Sequence, residues 1–260
     1  FLLSGFLVAG SALRLRNTGT FLLFRGLRIV PALAVEVTIS ALILGPLLTT
    51  LPLQEYFSDR HFWGYFGNIV GRIRFQLPGV FEGLPKDGIV NENLWTLRPE
   101  FYCYLFMALL MLSRAAYNRL LITLLWAAVT VVIICYHSTG ALRPEGLFGP
   151  TVLVYCFVTG MTAFHWRRQI RLNLALALMS SALAYGLSLT PQTALFSIPA
   201  LAYLTVWIGA QSLPRIYGDY SYGVYLFSYP IQQTLVSTFP SVREWWLIFP
   251  ISATITLLIA

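Results

Sequence analysis

A chain of 260 residues that is 57% hydrophobic and only 10% charged, with a mean hydropathy of +0.71, is not a soluble globular domain, which carries about 25% charged residues. Its net charge of +7 would suggest nucleic acid in a soluble protein. Here the basic residues lie between apolar runs, so the positive-inside rule accounts for them, and lipid rather than nucleic acid is the expected partner.

The first apolar run, residues 1–13, is shorter than the roughly 20 residues needed to cross a bilayer. It reads as the truncated end of a helix. The chain starts without Met and stops inside another apolar run, so a fragment cut at both ends is expected. Residues 14–31, RLRNTGTFLLFRGLRIVP, then bring Arg14, Arg16, Arg25 and Arg28 together with no acid. An arginine at a bilayer centre costs roughly 2.5–3.5 kcal/mol, which holds this cluster at an interface, and positive excess assigns that interface to the cytoplasm. If the segment is helical, Arg25 and Arg28 share a face as i and i+3 neighbours. They then serve either as anchors among lipid headgroups or as a dock for a phosphate-bearing ligand.

A span is predicted at residues 29–48, with Pro31 opening its deeper part and Glu36 near its first third. Residues 49–94 are mixed. Within them Phe62, Tyr65, Phe66, Ile69, Val70 and Ile73 recur at helical spacing, which predicts an amphipathic helix lying in the interface. Further spans are predicted at 95–112, 120–136, 148–164, 172–189, 194–210, 217–238 and 245–260. The fold class is therefore all-α: a polytopic integral membrane helical bundle of about nine helices, the first and last truncated, in a single domain over 1–260. Alternation puts Arg114, Arg119, Arg167, Arg168, Arg171 and Arg215 on the side of the first cluster. Arg60, Arg72, Arg74, Lys86, Arg143 and Arg243 fall opposite, most of them in the long mixed segment, and Arg98 stands at a helix start.

Ionisable residues in membrane helices are functional candidates, and Glu36, Glu100 and Asp219 are the acids so placed. Structural hydrogen bonding between helices is the equal alternative for each. In NENLWTLRPEFYCY, residues 91–104, Pro99 fits only the first helical turn, so the helix starts near Arg98. Asn91 or Asn93, Thr96 and Glu100 then cap it or line a cavity. In GDYSYGVYLFSYPIQQ, residues 218–233, Tyr222 and Tyr225 are i, i+3 partners and Pro230 kinks the helix. The cysteines Cys103, Cys135 and Cys156 sit in apolar runs without CxxC spacing and read as buried, reduced thiols, with no metal site expected. His61, His137 and His165 read as polar surface groups. No GxSxG, P-loop or HExxH pattern occurs.

Five stretches carry a resemblance by their order and spacing: FLLSGFL at 1–7, FRGLRIVPAL at 24–33, LGPLLTTLPLQEYF at 44–57, LPGVFEGLPKDGIVNENLWTL at 77–97 and GDYSYGVYLFSYPIQQ at 218–233. Together they resemble the membrane acyltransferase-3 family, and within it a subgroup with exopolysaccharide acetyltransferases. The resemblance implies a bundle of about ten helices in the bacterial inner membrane and a donor, acetyl-CoA or another acyl-CoA, reached from the cytoplasm. It implies transfer of the acyl group to a hydroxyl of a saccharide, without a metal. Arg25 and Arg28 match the arginine pair associated with donor binding, and paired guanidiniums suit CoA phosphates through charge-assisted, bidentate bonds. Trp95, Glu100, Tyr222 and Tyr225 fall on motif positions as supporting residues.

The chain also departs from the pattern. The family's first helix, with an arginine and the histidine thought to act as general base, lies upstream, so these 260 residues alone are expected to transfer no acyl group. Glu92–Asn93 replaces a Gly-Ser, Arg98–Pro99 a Pro-aromatic pair, and Ser228 a histidine found in many members. The rival class is a transporter or flippase for a glycan or lipid-linked solute, which intramembrane acids and broken helices would also suit.

Overall fold

The computed structural model describes residues 1–138, 149–211, 220–239 and 244–259. Among these residues there is no strand, only isolated bridges between Thr49 and Val80 and between Gln76 and Ile89. The long helices are α1 (Leu2–Leu15), α2 (Thr18–Ile39), α6 (Leu97–Leu112), α7 (Arg119–Ser138), α8 (Pro150–Trp166), α9 (Leu174–Ser188), α10 (Ser197–Gly209), α11 (Ser221–Thr238) and α12 (Trp245–Ile259). Short helices α3 (Gly45–Leu48), α4 (Leu53–Ser58) and α5 (Arg60–Tyr65) fall between α2 and α6. Each long helix lies on one of the predicted runs, and the all-α class holds. Two continuous helical stretches, Thr18–Leu48 and Arg119–Ser138, are long and apolar enough to cross a membrane. Leu2–Leu15, Leu174–Ser188, Ala194–Gly209 and Trp245–Ile259 are apolar but shorter.

The α2 helix begins well before the predicted start of its span, and the reason is local. Arg16 closes α1 in the left-handed conformation, φ 57°, with its N–H on the Ala12 carbonyl at 3.1 Å. Asn17 then caps the next helix, its side-chain oxygen accepting from the Thr20 N–H at 2.9 Å. Asn is a strong N-cap residue. Arg25 and Arg28 are therefore on a helix, one turn apart, and Pro31 lies inside it.

A π-helical turn, Ser40–Leu44, continues α2 into α3. Gly45 N–H bonds to the Ser40 carbonyl, and residue 46 is Pro, which has no N–H to give. The Ala41 carbonyl is taken instead by the Tyr56 hydroxyl from α4, at 2.8 Å. Gly45 leaves room for that ring, since a Cβ there would stand 1.9 Å from the hydroxyl oxygen. Burial pushes the Tyr56 hydroxyl well above its ordinary pKa, so it remains a donor.

The single amphipathic helix expected around residues 62–73 is not formed. In its place α5, capped by Asp59, runs into a 3₁₀ turn, Phe66–Val70, that ends on Gly71 at φ 80°. Glycines at 64, 67 and 71 weaken a longer helix. Asn68 turns inward and pairs with the Arg74 backbone, accepting from its N–H at 2.7 Å and donating to its carbonyl at 2.9 Å.

The chain forms two compact units, Phe1–Phe24 with Pro99–Pro214 and Arg25–Arg98 with Arg215–Ala260. In the first, α1 and α8 touch backbone to backbone. A Cβ on Gly5 would stand 2.0 Å from the Phe157 carbonyl oxygen, and one on Gly160 would stand 2.0 Å from that of Leu2. Phe6 and Phe164 meet edge to face at 5.1 Å. Indole N–H groups tie α7 to α8: Trp126 donates to Thr159 at 3.1 Å and Trp166 to Thr123 at 2.9 Å. The other face of α7 is bare, with Leu120, Leu124 and Val131 about three-fifths exposed. An apolar helix left so uncovered is suited to hydrocarbon rather than water. Cys103 is buried and Cys156 half-buried, but Cys135 is exposed on this bare face, against the expectation of burial.

Because the crossing of α1 and α8 leaves no room for a methyl group, Gly160→Ala is expected to destabilise the protein by about 1–3 kcal/mol, the usual range for overpacking. Gly186→Ala in α9, where a Cβ would meet nothing within 4 Å, should stabilise by about 0.5–1 kcal/mol through helix propensity. Unfolding followed by circular dichroism in detergent would compare them. Equal stability of the two variants would deny the close crossing.

In the second unit, α11 packs on α12, which buries Ser252 and Thr256. The segment 49–94 folds on itself. Thr49 Oγ1 donates to the Pro78 carbonyl at 2.8 Å, and the Thr50 N–H to that of Gly79 at 2.9 Å.

Candidate functional site

The buried stripe of α2 and the π turn that continues it runs Phe21, Ile29, Leu33, Glu36, Val37, Ser40 and Ala41, at the spacing expected for one helix face. Arg25 falls in that stripe, half-buried with its Nε covered, while Arg28 is exposed at its edge. Glu36 lies eleven residues after Arg25, which is three turns and about 20° more, or about 17 Å along the same face.

Glu36 is completely buried. Its Oε1 accepts from Ser40 Oγ and from Asn91 Nδ2, both at 2.9 Å. Among the described residues its Oε2 has no hydrogen-bond partner. Tyr65 of α5, itself fully buried, faces this group. Burial first, and then the Glu36 carboxyl, push the Tyr65 hydroxyl well above its ordinary pKa, so it stays neutral.

Asn91 joins three elements. Its oxygen accepts from the Asn93 N–H at 3.1 Å and caps the 3₁₀ turn Glu92–Thr96. Its nitrogen donates to Glu36 and, at 2.9 Å, to the Leu226 carbonyl on α11. That carbonyl is available because residue 230, four positions on, is Pro and supplies no N–H. A side chain from the loop thus meets a carbonyl that the proline inside α11 leaves without its backbone donor.

The next residues repeat the pattern. Asn93 Nδ2 donates to the Tyr225 carbonyl at 2.7 Å and to Ser228 Oγ at 3.2 Å. The Tyr225 hydroxyl donates to the Asn93 carbonyl and meets the Thr96 hydroxyl. Asn93 and Ser228, two of the departures noted in the sequence, therefore touch each other. Tyr222 and Tyr225 stack, with centroids 6.5 Å apart and planes at 19°. Trp95 is half-buried between Asn93 and Thr96 in the chain.

Of the expected site residues, Trp95, Tyr222, Arg25 and Arg28 belong to the second unit and Glu100 to the first. The Glu100 carboxylate accepts from the Tyr104 hydroxyl one turn on in α6. Asp219 lies outside the described residues. His61 is exposed beside Asp59, whereas His137 is half-buried, with its Nε2 2.9 Å from the Gln192 carbonyl, and so is not the open surface group expected. His165 is not the surface group expected: it is half-buried, with its two ring nitrogens 2.9 Å from the carbonyls of Met161 and Ala116. Among the described residues no three His, Cys, Asp or Glu side chains come close enough to hold a metal.

Fold and site together define a bundle of apolar helices with a buried polar junction and an arginine pair on one of its helices. The chain belongs to the acyltransferase-3 family, described as an acyltransferase domain, which matches residues 1–260 and so runs across both units. It is similar to an O-acetyl transferase of Shigella phage Sf6, 23% identical over 260 residues that cover 92% of this chain and 73% of that protein. It is also similar to nodulation protein 10 of Rhizobium leguminosarum bv. viciae, 27% identical over 281 residues covering 95% and 74%. No solved structure matches the chain. The protein is an acyltransferase, and the transporter reading falls away.

Proposed function

We propose that the protein is a membrane-embedded O-acyltransferase that takes an acyl group, acetyl in the first instance, from acyl-CoA and esterifies a saccharide hydroxyl. The observation that carries the reading is Arg25. A guanidinium that only anchors a helix among headgroups points outward, whereas this one lies in the buried stripe of α2 with its Nε covered. Arg28, one turn on and exposed, gives the pair an inner and an outer member. Such a pair suits the phosphates of CoA, which accept bidentate bonds from guanidinium. The O-acetyl transferase relative supports acetyl as the group moved.

In the reaction the acceptor hydroxyl oxygen attacks the thioester carbonyl, its proton passes to a base, and a C–O bond forms as the C–S bond breaks. CoA leaves as thiolate and is protonated. Donors near the carbonyl steady the oxyanion. The residues of this chain would supply binding and order. Arg25 and Arg28 hold the donor, and the Asn91–Asn93–Tyr225 junction sets the positions of Trp95 and Tyr222. Glu100, hydrogen-bonded to Tyr104, stays a supporting group.

The test uses purified full-length protein in detergent with acetyl-labelled acetyl-CoA and a panel of oligosaccharides. Label should appear on a saccharide as an alkali-labile ester. Binding of acetyl-CoA without transfer to any saccharide would refute the acceptor, and absence of both would refute the reading as a whole.

A further inference from the structure

The segment 49–94 holds a cleft that neither the arginine pair nor the Glu36 junction uses. A cavity of about 320 Å³ is lined by Arg60, His61, Gly64, Arg74, Phe75 and Gln76. A second, of about 200 Å³, shares His61 and Gln76 with the first and adds the acids Glu82 and Asp87. All these residues belong to one unit. The cleft therefore has a cationic half and an acidic half, with an amide between them and an aromatic ring in the cationic half.

Its walls are fixed through the backbone. Arg60, His61 and Gly64 sit on α5, whose start is held by Asp59. That carboxylate accepts from the His61 N–H at 2.6 Å and lies 2.8 Å from its ring. These contacts, the backbone one first, hold the Asp59 carboxyl below its ordinary pKa. The opposite wall is pinned by the buried Asn68 on both backbone groups of Arg74, by the Val90 N–H on the Phe75 carbonyl at 2.8 Å, and by the bridge from Gln76 to Ile89. The side chains of Arg60, Arg74 and Gln76 remain exposed on this frame. Among the described residues no ion pair engages the Arg74 guanidinium.

We propose that this cleft is a binding site for a saccharide that carries a carboxylate. The acid of the ligand would lie between Arg60 and Arg74, where planar guanidiniums match it in fork geometry. Its hydroxyls donate to Glu82 and Asp87 and pair with the Gln76 amide, which both donates and accepts. The Phe75 ring offers an apolar face to a sugar ring. A phosphatidylglycerol headgroup fits less well, because its two hydroxyls offer Glu82 and Asp87 fewer donors than a sugar ring does. The inference deepens the proposed function by naming the acceptor class and rests on that reading for its saccharide.

Binding is measured without any acyl donor, so it is independent of transfer. Purified full-length protein in detergent is titrated calorimetrically with trigalacturonate and with neutral maltotriose. Trigalacturonate should bind at least about tenfold more tightly than maltotriose. Arg60→Gln with Arg74→Gln should weaken trigalacturonate at least about tenfold. Lys86→Gln, whose ammonium pairs with Glu92 at 2.5 Å and lines neither cavity, should leave it unchanged. Both arginines are exposed, so the double variant should keep its circular dichroism spectrum and melting temperature. Equal binding by wild type and double variant, or equal affinity for both sugars, overturns the proposal. So does capture by phosphatidylglycerol vesicles that depends on Arg60 and Arg74 while trigalacturonate does not bind, which would make the cleft a lipid site. Transfer to a neutral saccharide without trigalacturonate binding sinks this inference and leaves the proposed function standing; binding without transfer does the reverse.

Discussion

Asn91→Ala is expected to lower stability by about 2–6 kcal/mol, because it leaves two buried acceptors short at once and each unmade buried bond costs about 1–3 kcal/mol. One is Glu36 Oε1, which keeps only Ser40, and the other is the Leu226 carbonyl, which Pro230 has already deprived of a backbone donor. Loss of the cap on the turn at Glu92–Thr96 adds to this. Asn91→Asp is no rescue, since it keeps the capping oxygen but removes the donor and brings a second carboxyl beside Glu36. Glu36→Gln should be far milder than Glu36→Ala, because the amide keeps an acceptor oxygen for Ser40 and Asn91. Thermal unfolding in one detergent across the four variants measures this ranking. An unchanged melting temperature for Asn91→Ala would mean that water or a neighbouring side chain replaces it.

The helices were legible in the sequence because apolar runs with polar breaks dictate them whatever else the chain does. The helix α2 starts ahead of its span because the apolar run marks where hydrocarbon begins, whereas the helix begins where Asn17 caps it. The arginines lie in the interval between those two events. The junction was only half legible. Glu36, Asn91, Asn93, Thr96 and Tyr225 stood out as polar groups at span ends, but their pairing depends on carbonyls that proline leaves bare. Pro230 pointed four residues back to Leu226, and Pro46 with the π turn pointed to Ala41. A search for donors able to meet those carbonyls would have found Asn91 and Tyr56. Tyr65 could not be assigned, because its face of α5 read as part of a longer amphipathic helix that three glycines do not sustain. The cleft around Arg74 is formed by a loop whose walls depend on Asn68, a residue with no pattern of its own. There the sequence showed only a mixed, charged segment.

Arg25→Ala is expected to raise the dissociation constant for acetyl-CoA by about 10–100-fold, the loss of one charge-assisted bond worth about 1.5–3 kcal/mol. Arg28→Ala, at the exposed edge of the stripe, should cost less, and the double variant more than either. Arg16→Ala, whose residue closes α1 in a left-handed turn outside this face, should leave donor affinity unchanged. Lysine at 25 should rescue only in part, since it keeps the charge and loses the planar fork. Helix content should not fall, because alanine is the best helix former. Repeating the titration with dephospho-CoA separates phosphate recognition from general positive charge. If the pair holds phosphates, the wild-type preference for CoA over its dephospho form shrinks in the Arg25 and Arg28 variants and not in Arg16→Ala. Equal donor affinity in all three alanine variants would reduce the pair to a topological anchor, and the half-buried position of Arg25 would then need another reason.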